Sequence, residues 1–283
     1  MADHNDLLQR RGDADDVHCR HCSLRSLCLP QSLDDRDLER FNAIVRRPGH
    51  FKKGSLLARE GAPLHSLLVV RSGSLKQVSH TGGREQLTRF FLPGELVGLD
   101  GLDTLRYPGS VRALEAATIC DIPYPSLDTL ATQLPDLRTQ LFRSMSRTLH
   151  EDRLLMGHFT HQSAEQRLAT LLCELSERFR RRGYSAHCFR FSKSRAEIGS
   201  YLGIAMETVS RVLGQFQQQG LVTTRGREVR IHDLAALETL ARGDRLMVLS
   251  PVPAVPESPE PRVLPLTAAR GGDGRATHRR LGR

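Results

Sequence analysis

From Leu33 to Leu130 the apolar residues fall in short runs closed by glycines, at Lys53-Gly54, Glu60-Gly61, Ser72-Gly73, Gly82-Gly83 and Pro93-Gly94. Runs of that length between turn residues predict strands, and their succession predicts an antiparallel roll or barrel. Leu67-Leu68-Val69-Val70 reads as a buried strand, after which Ser72-Gly73-Ser74 turns the chain toward Leu75. Beyond Leu134 the period changes. Leu137, Leu141, Met145 and Leu149 recur every four residues and Met156 resumes the line. This predicts a helix from Leu134 to Phe159, about 26 residues and ~39 Å long, with a narrow apolar seam suited to a partner helix. Asp152 interrupts that seam. In a parallel symmetric pair its carboxylate would meet its own copy and oppose association. With a slight rotation of the helix it would face water instead, and the pattern alone leaves both readings open.

The next segment reads as helical up to Arg182, with Leu168, Leu171, Leu172 and Leu175 on one side. Between Ser194 and Gly220 a helix, a tight turn at Gly203 and a second helix over Ala205 to Gln219 follow, with Ile198, Leu202, Ile204, Val209 and Val212 as their core. That is a helix-turn-helix pattern. Glu207, Ser210 and Arg211 stand at i, i+3 and i+4 on the second helix and share a face. Arginine can bond guanine in bidentate fashion and glutamate can accept from the cytosine amino group, so this face is the candidate base reader. The structural alternative is an intrahelical Glu207 to Arg211 pair, worth only a few tenths of a kcal/mol. Past Gly220, Leu221, Val222, Val229 and Ile231 flank Arg225-Gly226-Arg227, a two-stranded wing with a basic tip suited to phosphate.

Charge strengthens this picture. The chain of 283 residues carries a formal net charge of +9 with a pI near 9.7. Residues 161–245 hold 14 basic against 9 acidic residues, and the stretch from Leu246 adds six arginines against three acids. Nucleic acid is therefore the first partner to consider. The stretch from Ser250 is rich in Pro, Gly and Arg without apolar periodicity, which predicts disorder. No segment approaches the roughly 20 apolar residues of a membrane span. Met1 to Val17 is polar, with five aspartates, and has no secretory pattern. A soluble cytoplasmic protein is expected, in a compartment that keeps thiols reduced. The organisation is then residues 1–30 as an amino-terminal segment, 31–132 as the roll, 133–160 as the long helix, 161–245 as the winged helix-turn-helix and 246–283 as the tail.

The sharpest chemical signal is in the cysteines. Cys19, Cys22 and Cys28 lie within ten residues, and Cys120 stands alone 92 residues after Cys28. Soft thiolates select zinc, copper or iron-sulfur clusters. Three close ligands and one distant one suit a cubane cluster, whereas structural zinc more often takes two short pairs. Zinc and unliganded thiols remain open on spacing alone, and disulfides are the weakest reading. His18 and His21 sit where either could replace a thiolate, although the four cysteines already complete a set. Cys173 and Cys188 lack neighbouring thiols, and Cys173 reads as a small buried hydrophobe. Two rivals stand beside a regulator: an iron-sulfur enzyme or electron carrier, which has no need of the Glu207 face, and a DNA-binding regulator with structural zinc or a small-molecule ligand. No convincing nucleophile, phosphate loop or acid-base pair appears, so no enzyme is expected.

Three motifs together resemble one family. Cys-Arg-His-Cys-Ser-Leu-Arg-Ser-Leu-Cys from Cys19, the lone Cys120 in Ala-Thr-Ile-Cys-Asp-Ile-Pro, and Glu207-Thr-Val-Ser-Arg211 are similar to those of the oxygen-responsive FNR (fumarate and nitrate reduction) regulators, in the cyclic-AMP receptor protein superfamily. The resemblance runs from about Cys19 to Arg245. It implies an α+β fold, with an antiparallel β-roll, a long dimerisation helix and a carboxy-terminal winged helix-turn-helix. It further implies a 4Fe-4S cluster on Cys19, Cys22, Cys28 and Cys120, converted toward 2Fe-2S by oxygen, which holds a homodimer through Leu141, Met145, Leu149, Asp152 and Met156. The dimer would bind TTGAT-type inverted repeats in double-stranded DNA, with Arg211 on guanine, Glu207 on the paired cytosine and Ser210 on a thymine. RNA polymerase is the implied second partner, at the loop Thr81 to Glu85, although Arg84 stands where an acidic residue is common. Cyclic-nucleotide binders of the superfamily follow a Gly-Glu turn with an Arg-Ser pair at the phosphate. Here Gly94-Glu95 is followed by Gly109-Ser110 with Arg112 out of register, so no cyclic nucleotide is expected.

Overall fold

A computed structural model describes residues 17–243, with all side chains there except those of Thr81, Arg84 and residues 154–161. The acidic start of the chain, the proline-rich tail and the Met156 side chain therefore lie outside the described residues. The chain enters through three short 3-10 turns, Cys19–His21, Arg25–Leu27 and Leu29–Ser32, and then forms helix α1, Asp35–Ile44. Asp34 caps α1 by accepting from the Asp37 N–H at 2.8 Å. Leu38 and Phe41 on its inner face are almost fully buried. The apolar runs from Leu33 onward predict strands, but the first element there is this helix. The helix forms instead because Asp34 supplies an N-cap and Leu38, Phe41 and Ile44 recur at three-residue spacing.

Seven strands build the roll: β1 (Leu56–Ala58), β2 (Ser66–Ser72), β3 (Leu75–Thr81), β4 (Arg84–Phe91), β5 (Leu96–Val97), β6 (Ser110–Ala113) and β7 (Thr118–Pro123). They pair antiparallel in two sheets, ordered β1-β6-β3-β4 and β5-β2-β7. The turn between β2 and β3 requires glycine. Gly73 has φ +75°, and a Cβ there would fall 2.3 Å from the Ala116 carbonyl oxygen. Helix α2 (Tyr124–Gln133) closes the roll and α3 (Pro135–His161) leaves it as a single helix of 27 residues. Leu137 belongs to the roll's own core, so the first member of the predicted seam is buried within the protomer.

The remainder forms a second core. Helix α4 (Ala164–Arg180) opens with a capping box between Ser163 and Gln166, and β8 (Cys188–Arg190) follows. Then come α5 (Arg195–Leu202), α6 (Met206–Gln218), the wing strands β9 (Val222–Arg225) and β10 (Glu228–Ile231), and α7 (Leu234–Arg242), with sheet order β8-β10-β9. Gly203 ends α5 in the left-handed conformation at φ +63°, and at Gly199 a Cβ would meet the Ile204 carbonyl oxygen at 2.6 Å, so the two helices cross closely only without side chains there. This core also receives Phe90 and Leu92 from the roll, both nearly fully buried. Burying side chains of that size is worth about 1.5–3 kcal/mol each. Helix α5 therefore lies on β4, where Lys76 pairs with Glu197 at 3.0 Å and the Leu87 N–H donates to the Ser200 hydroxyl at 3.0 Å.

Candidate metal centre and nucleic-acid interface

The amino-terminal turns present their cysteines by local hydrogen bonding. The His21 N–H donates to the His18 carbonyl, the Arg25 N–H to that of Cys22 and the Cys28 N–H to that of Leu24, at 3.0, 3.0 and 3.1 Å. His18 also reaches Glu39 at 2.9 Å and accepts from the Arg20 N–H, so it caps the first turn, while His21 is exposed. Cys120 arrives from the roll, on β7 opposite Val69 of β2. A lone antiparallel bridge between Arg46 and Asp121, with N–H to carbonyl distances of 2.7 and 2.8 Å, ties the end of α1 to the same strand.

These elements bring Cys19, Cys22, Cys28 and Cys120 onto the wall of one apolar cavity of about 30 Å³, with Phe41, Val69 and Ile122 among its other walls. All four are free thiols. Burial pushes Cys19, Cys28 and Cys120 up, Cys120 to about 11. The nearby Cys120 sulfur adds to the rise at Cys28, and Arg47 opposes the rise at Cys19 and Cys120. Neutral buried thiols release protons when a cation replaces them, so any metal taken up by these thiols would bind more tightly as pH rises. Among the described residues no three His, Cys, Asp or Glu side chains are close enough to hold one metal ion. The thiols share a chamber without meeting at a point. Soft thiolates are the donors that structural zinc and iron-sulfur clusters share, so the residue types present fit either group. Free space of this size holds a water rather than a cubane, and the fit rests on the donors.

The second candidate site is open to solvent. Val209, Val212, Leu213 and Phe216 bury one face of α6, leaving Glu207 and Arg211 exposed and Ser210 half-buried on the other. Arg211 donates to Gln215 at 3.4 Å rather than pairing with Glu207, so its guanidinium stays on the outer face. Arg225 and Arg227 are exposed at the wing tip, where Gly226 takes φ +60°.

Between the two sites lies the turn Pro93-Gly94-Glu95. Gly94 has φ +88°, and a Cβ there would come within 2.9 Å of the Leu27 Cβ, one residue before Cys28. Glu95 accepts from Arg178 at 2.5 Å and Arg182 at 2.5 Å, and Arg182 also donates to the Pro93 carbonyl at 2.7 Å. Burial opposes the charge on Glu95, but the two guanidiniums outweigh it and hold the carboxyl below the usual range. The carboxylate of the Gly-Glu turn is thus engaged by the helix-turn-helix domain. Ser110 likewise accepts from the Glu60 N–H at 3.1 Å.

Along α3, Leu141 and Met145 are half-buried against the roll and Leu149 is exposed. Asp152 forms an ion pair with Arg89 of β4 instead of facing only water. Exposed Phe142, one residue after Leu141 and seven before Leu149, escaped the sequence reading because strict four-residue spacing passes over it. Asn42 and Arg47 were also missed, because the Cys19 that both touch lies 23 and 28 positions away. No local pattern marks either of them.

Comparison with known proteins places these features together. A model of the Crp-like helix-turn-helix domain matches residues 166–240, and one of the cyclic nucleotide-binding domain matches 48–133. The chain is 51% identical over 228 residues to the transcriptional activator protein anr of Pseudomonas aeruginosa, covering 80% of this chain and 93% of that one. It is 38% identical over 226 residues to the fumarate and nitrate reduction regulatory protein of Yersinia pestis, covering 80% and 90%. Among solved structures, FixK2 from Bradyrhizobium japonicum matches 70% of this chain and 97% of its own at 25% identity, with a TM-score of 0.64.

Proposed function

The chain belongs to the FNR family of Crp-type transcription regulators and is not an enzyme, and on that premise we propose that it senses oxygen through a 4Fe-4S cluster on Cys19, Cys22, Cys28 and Cys120. In this reading the cluster-bearing protein is a homodimer that binds TTGAT-type inverted repeats and activates or represses genes of anaerobic and microaerobic metabolism. The observation that carries it is the convergence of four thiols, from two distant segments, on one apolar cavity. A cluster held by Cys19, Cys22, Cys28 and Cys120 would supply the oxygen-labile chemistry. The rest is work for the chain. Cys19, Cys22 and Cys28 fasten the amino-terminal turns to β7 through Cys120, and the close contact of Leu27 with Gly94 carries that attachment to Glu95, Arg178 and Arg182. A coupling of about 1–3 kcal/mol between cysteine site and dimer would change affinity about 5- to 150-fold.

Two recognition helices on a two-fold axis fit half-sites about 34–36 Å apart. Arg211, Glu207 and Ser210 read bases, and the wing arginines hold phosphates. RNA polymerase is the proposed second partner, at the turn from β3 to β4, where the Thr81 and Arg84 side chains lie outside the described residues. Among the described residues no helix is long and apolar enough to cross a membrane, and a cytoplasmic site of action accords with the DNA-reading role.

Dimerisation through Leu141, Met145, Leu149, Asp152 and Met156 gives a direct expectation. Asp152 brings a charge to the seam and ties α3 to Arg89 of its own roll. A half-exposed pair of this kind contributes at most about 1 kcal/mol. Asp152→Ala removes both the repulsion and the tie, so it should dimerise in aerated buffer by analytical ultracentrifugation. A strictly monomeric variant would overturn this part of the reading.

The function as a whole is tested by an anaerobic visible absorption spectrum, with iron and sulfide analysis, before and after admission of air. A brown protein that bleaches and loses sulfide is expected. A colourless, zinc-loaded, air-stable protein would remove the oxygen sensor and leave a DNA-binding regulator with another signal.

A further inference from the structure

We propose that Arg47, braced by Asn42, is the positioning residue for the Cys19 sulfur and for cluster retention; this rests on the cluster reading above. The local backbone delivers Arg47 to that place. Helix α1 ends where the Val45 N–H donates to the Asn42 carbonyl at 3.2 Å, and the next residue enters the bridge with Asp121, beside Cys120. Arg47 follows directly, which carries its guanidinium to the Cys19 sulfur. Its Nη2 donates to the Asn42 Oδ1 at 2.5 Å and reaches the Cys19 Sγ at 3.5 Å, while its Nη1 donates to the Val45 carbonyl at 3.3 Å. The Asn42 Oδ1 also accepts from the Cys19 N–H at 3.1 Å.

One amide oxygen thus fixes both the backbone of Cys19 and the guanidinium that touches its sulfur. The arrangement closes a ring through Cys19, Asn42 and Arg47, and it sets the direction in which the sulfur is presented. Four thiolates on a cubane carry net negative charge into an apolar chamber. A positive charge with an N–H directed at sulfur offsets that cost, and hydrogen bonds to ligand sulfurs are among the levers by which proteins tune such clusters. Lysine keeps the charge but lacks the planar fork that reaches Asn42, the Val45 carbonyl and sulfur together.

The test uses full-length protein loaded anaerobically with iron and sulfide and then challenged with a ferrous-iron chelator, following visible absorbance. Supporting-shell substitutions typically cost 10- to 100-fold in metal affinity. Arg47→Gln should therefore lose iron about 10- to 100-fold more readily than wild type, and Arg47→Lys should fall between them. The iron–thiolate bands in the resonance Raman spectrum should shift, and the thermal midpoint of the metal-free variant should match wild type. Asn42→Ala should weaken retention in the same direction and serves if Arg47→Gln does not fold. Retention equal to wild type with unshifted Raman bands would overturn the proposal and leave the cluster reading intact. So would a loss of retention that merely tracks a lowered thermal midpoint in both variants. Wild-type protein that takes up no cluster would overturn the cluster reading, and this proposal with it.

Discussion

Cys120→Ser is expected to fold, to hold no cluster and to bind DNA no better without oxygen than with it. Serine keeps the shape of cysteine with a smaller atom, and a hydroxyl set in an apolar wall costs roughly 1–3 kcal/mol, within the reach of a roll whose core includes Leu67, Leu68, Ile119 and Ile122. What is lost is the one thiol that β7 contributes to the cavity. Cys19, Cys22 and Cys28 all belong to the entering turns, so without Cys120 nothing fastens those turns to the roll through metal. Anaerobic affinity, read by fluorescence anisotropy on a labelled inverted repeat, should fall by the whole coupling of about 5- to 150-fold, to the aerobic value. Cys173→Ser, beside the second core and remote from the cavity, should change neither colour nor affinity. Anaerobic binding of Cys120→Ser at wild-type strength would sink the idea that the thiols govern DNA binding.

Arg211→Ala should give the larger loss at the DNA itself. A bidentate arginine–guanine contact is worth about 1–3 kcal/mol per half-site, so a symmetric site should lose about 2–6 kcal/mol, or from about 30-fold to more than 10⁴-fold in affinity. The fold should not suffer, because Arg211 is exposed and its partner Gln215 lies on the same helix. Discrimination decides the role. The loss should be confined to sites that keep the guanine and vanish where that base pair is changed. An equal loss on every sequence, with a shallower salt dependence, would make Arg211 a phosphate contact.

The parts of this molecule that could be read from sequence are those whose signal is local. Gly203 between Ile198 and Val209 was enough to place the helix-turn-helix, and four-residue spacing was enough to place α3. The cysteines could be grouped by residue type, although only the register of Cys120 opposite Val69 brings the fourth to the other three. The docking of α5 on β4 was not seen, yet its mark was present. Phe90-Phe91-Leu92 is an apolar run, and on a strand adjacent residues face opposite ways. Phe91 enters the roll's core while Phe90 enters that of the helix-turn-helix domain, so both faces of β4 are covered. The pairings of Asp152 with Arg89 and of Glu95 with Arg178 had no such mark, because charged residues are common and their partners here lie 63 and 83 positions away.

The pleat of β7 carries a last consequence, for the lengths of chain that inheritance can tolerate. Cys120 and Ile122 face the cavity while Ile119, between them and the start of the strand, is turned the other way. One codon gained or lost between Ala117 and Cys120 would slide the strand by a single pleat and turn the sulfur out of the chamber, with all four cysteines still encoded. A codon added at Gly82-Gly83 would only lengthen a hairpin tip. A change of length is therefore absorbed in the backbone at that hairpin tip, whereas in β7 a single-codon shift would part the fourth thiol from the other three while the helix-turn-helix, in its separate core, stays encoded unchanged.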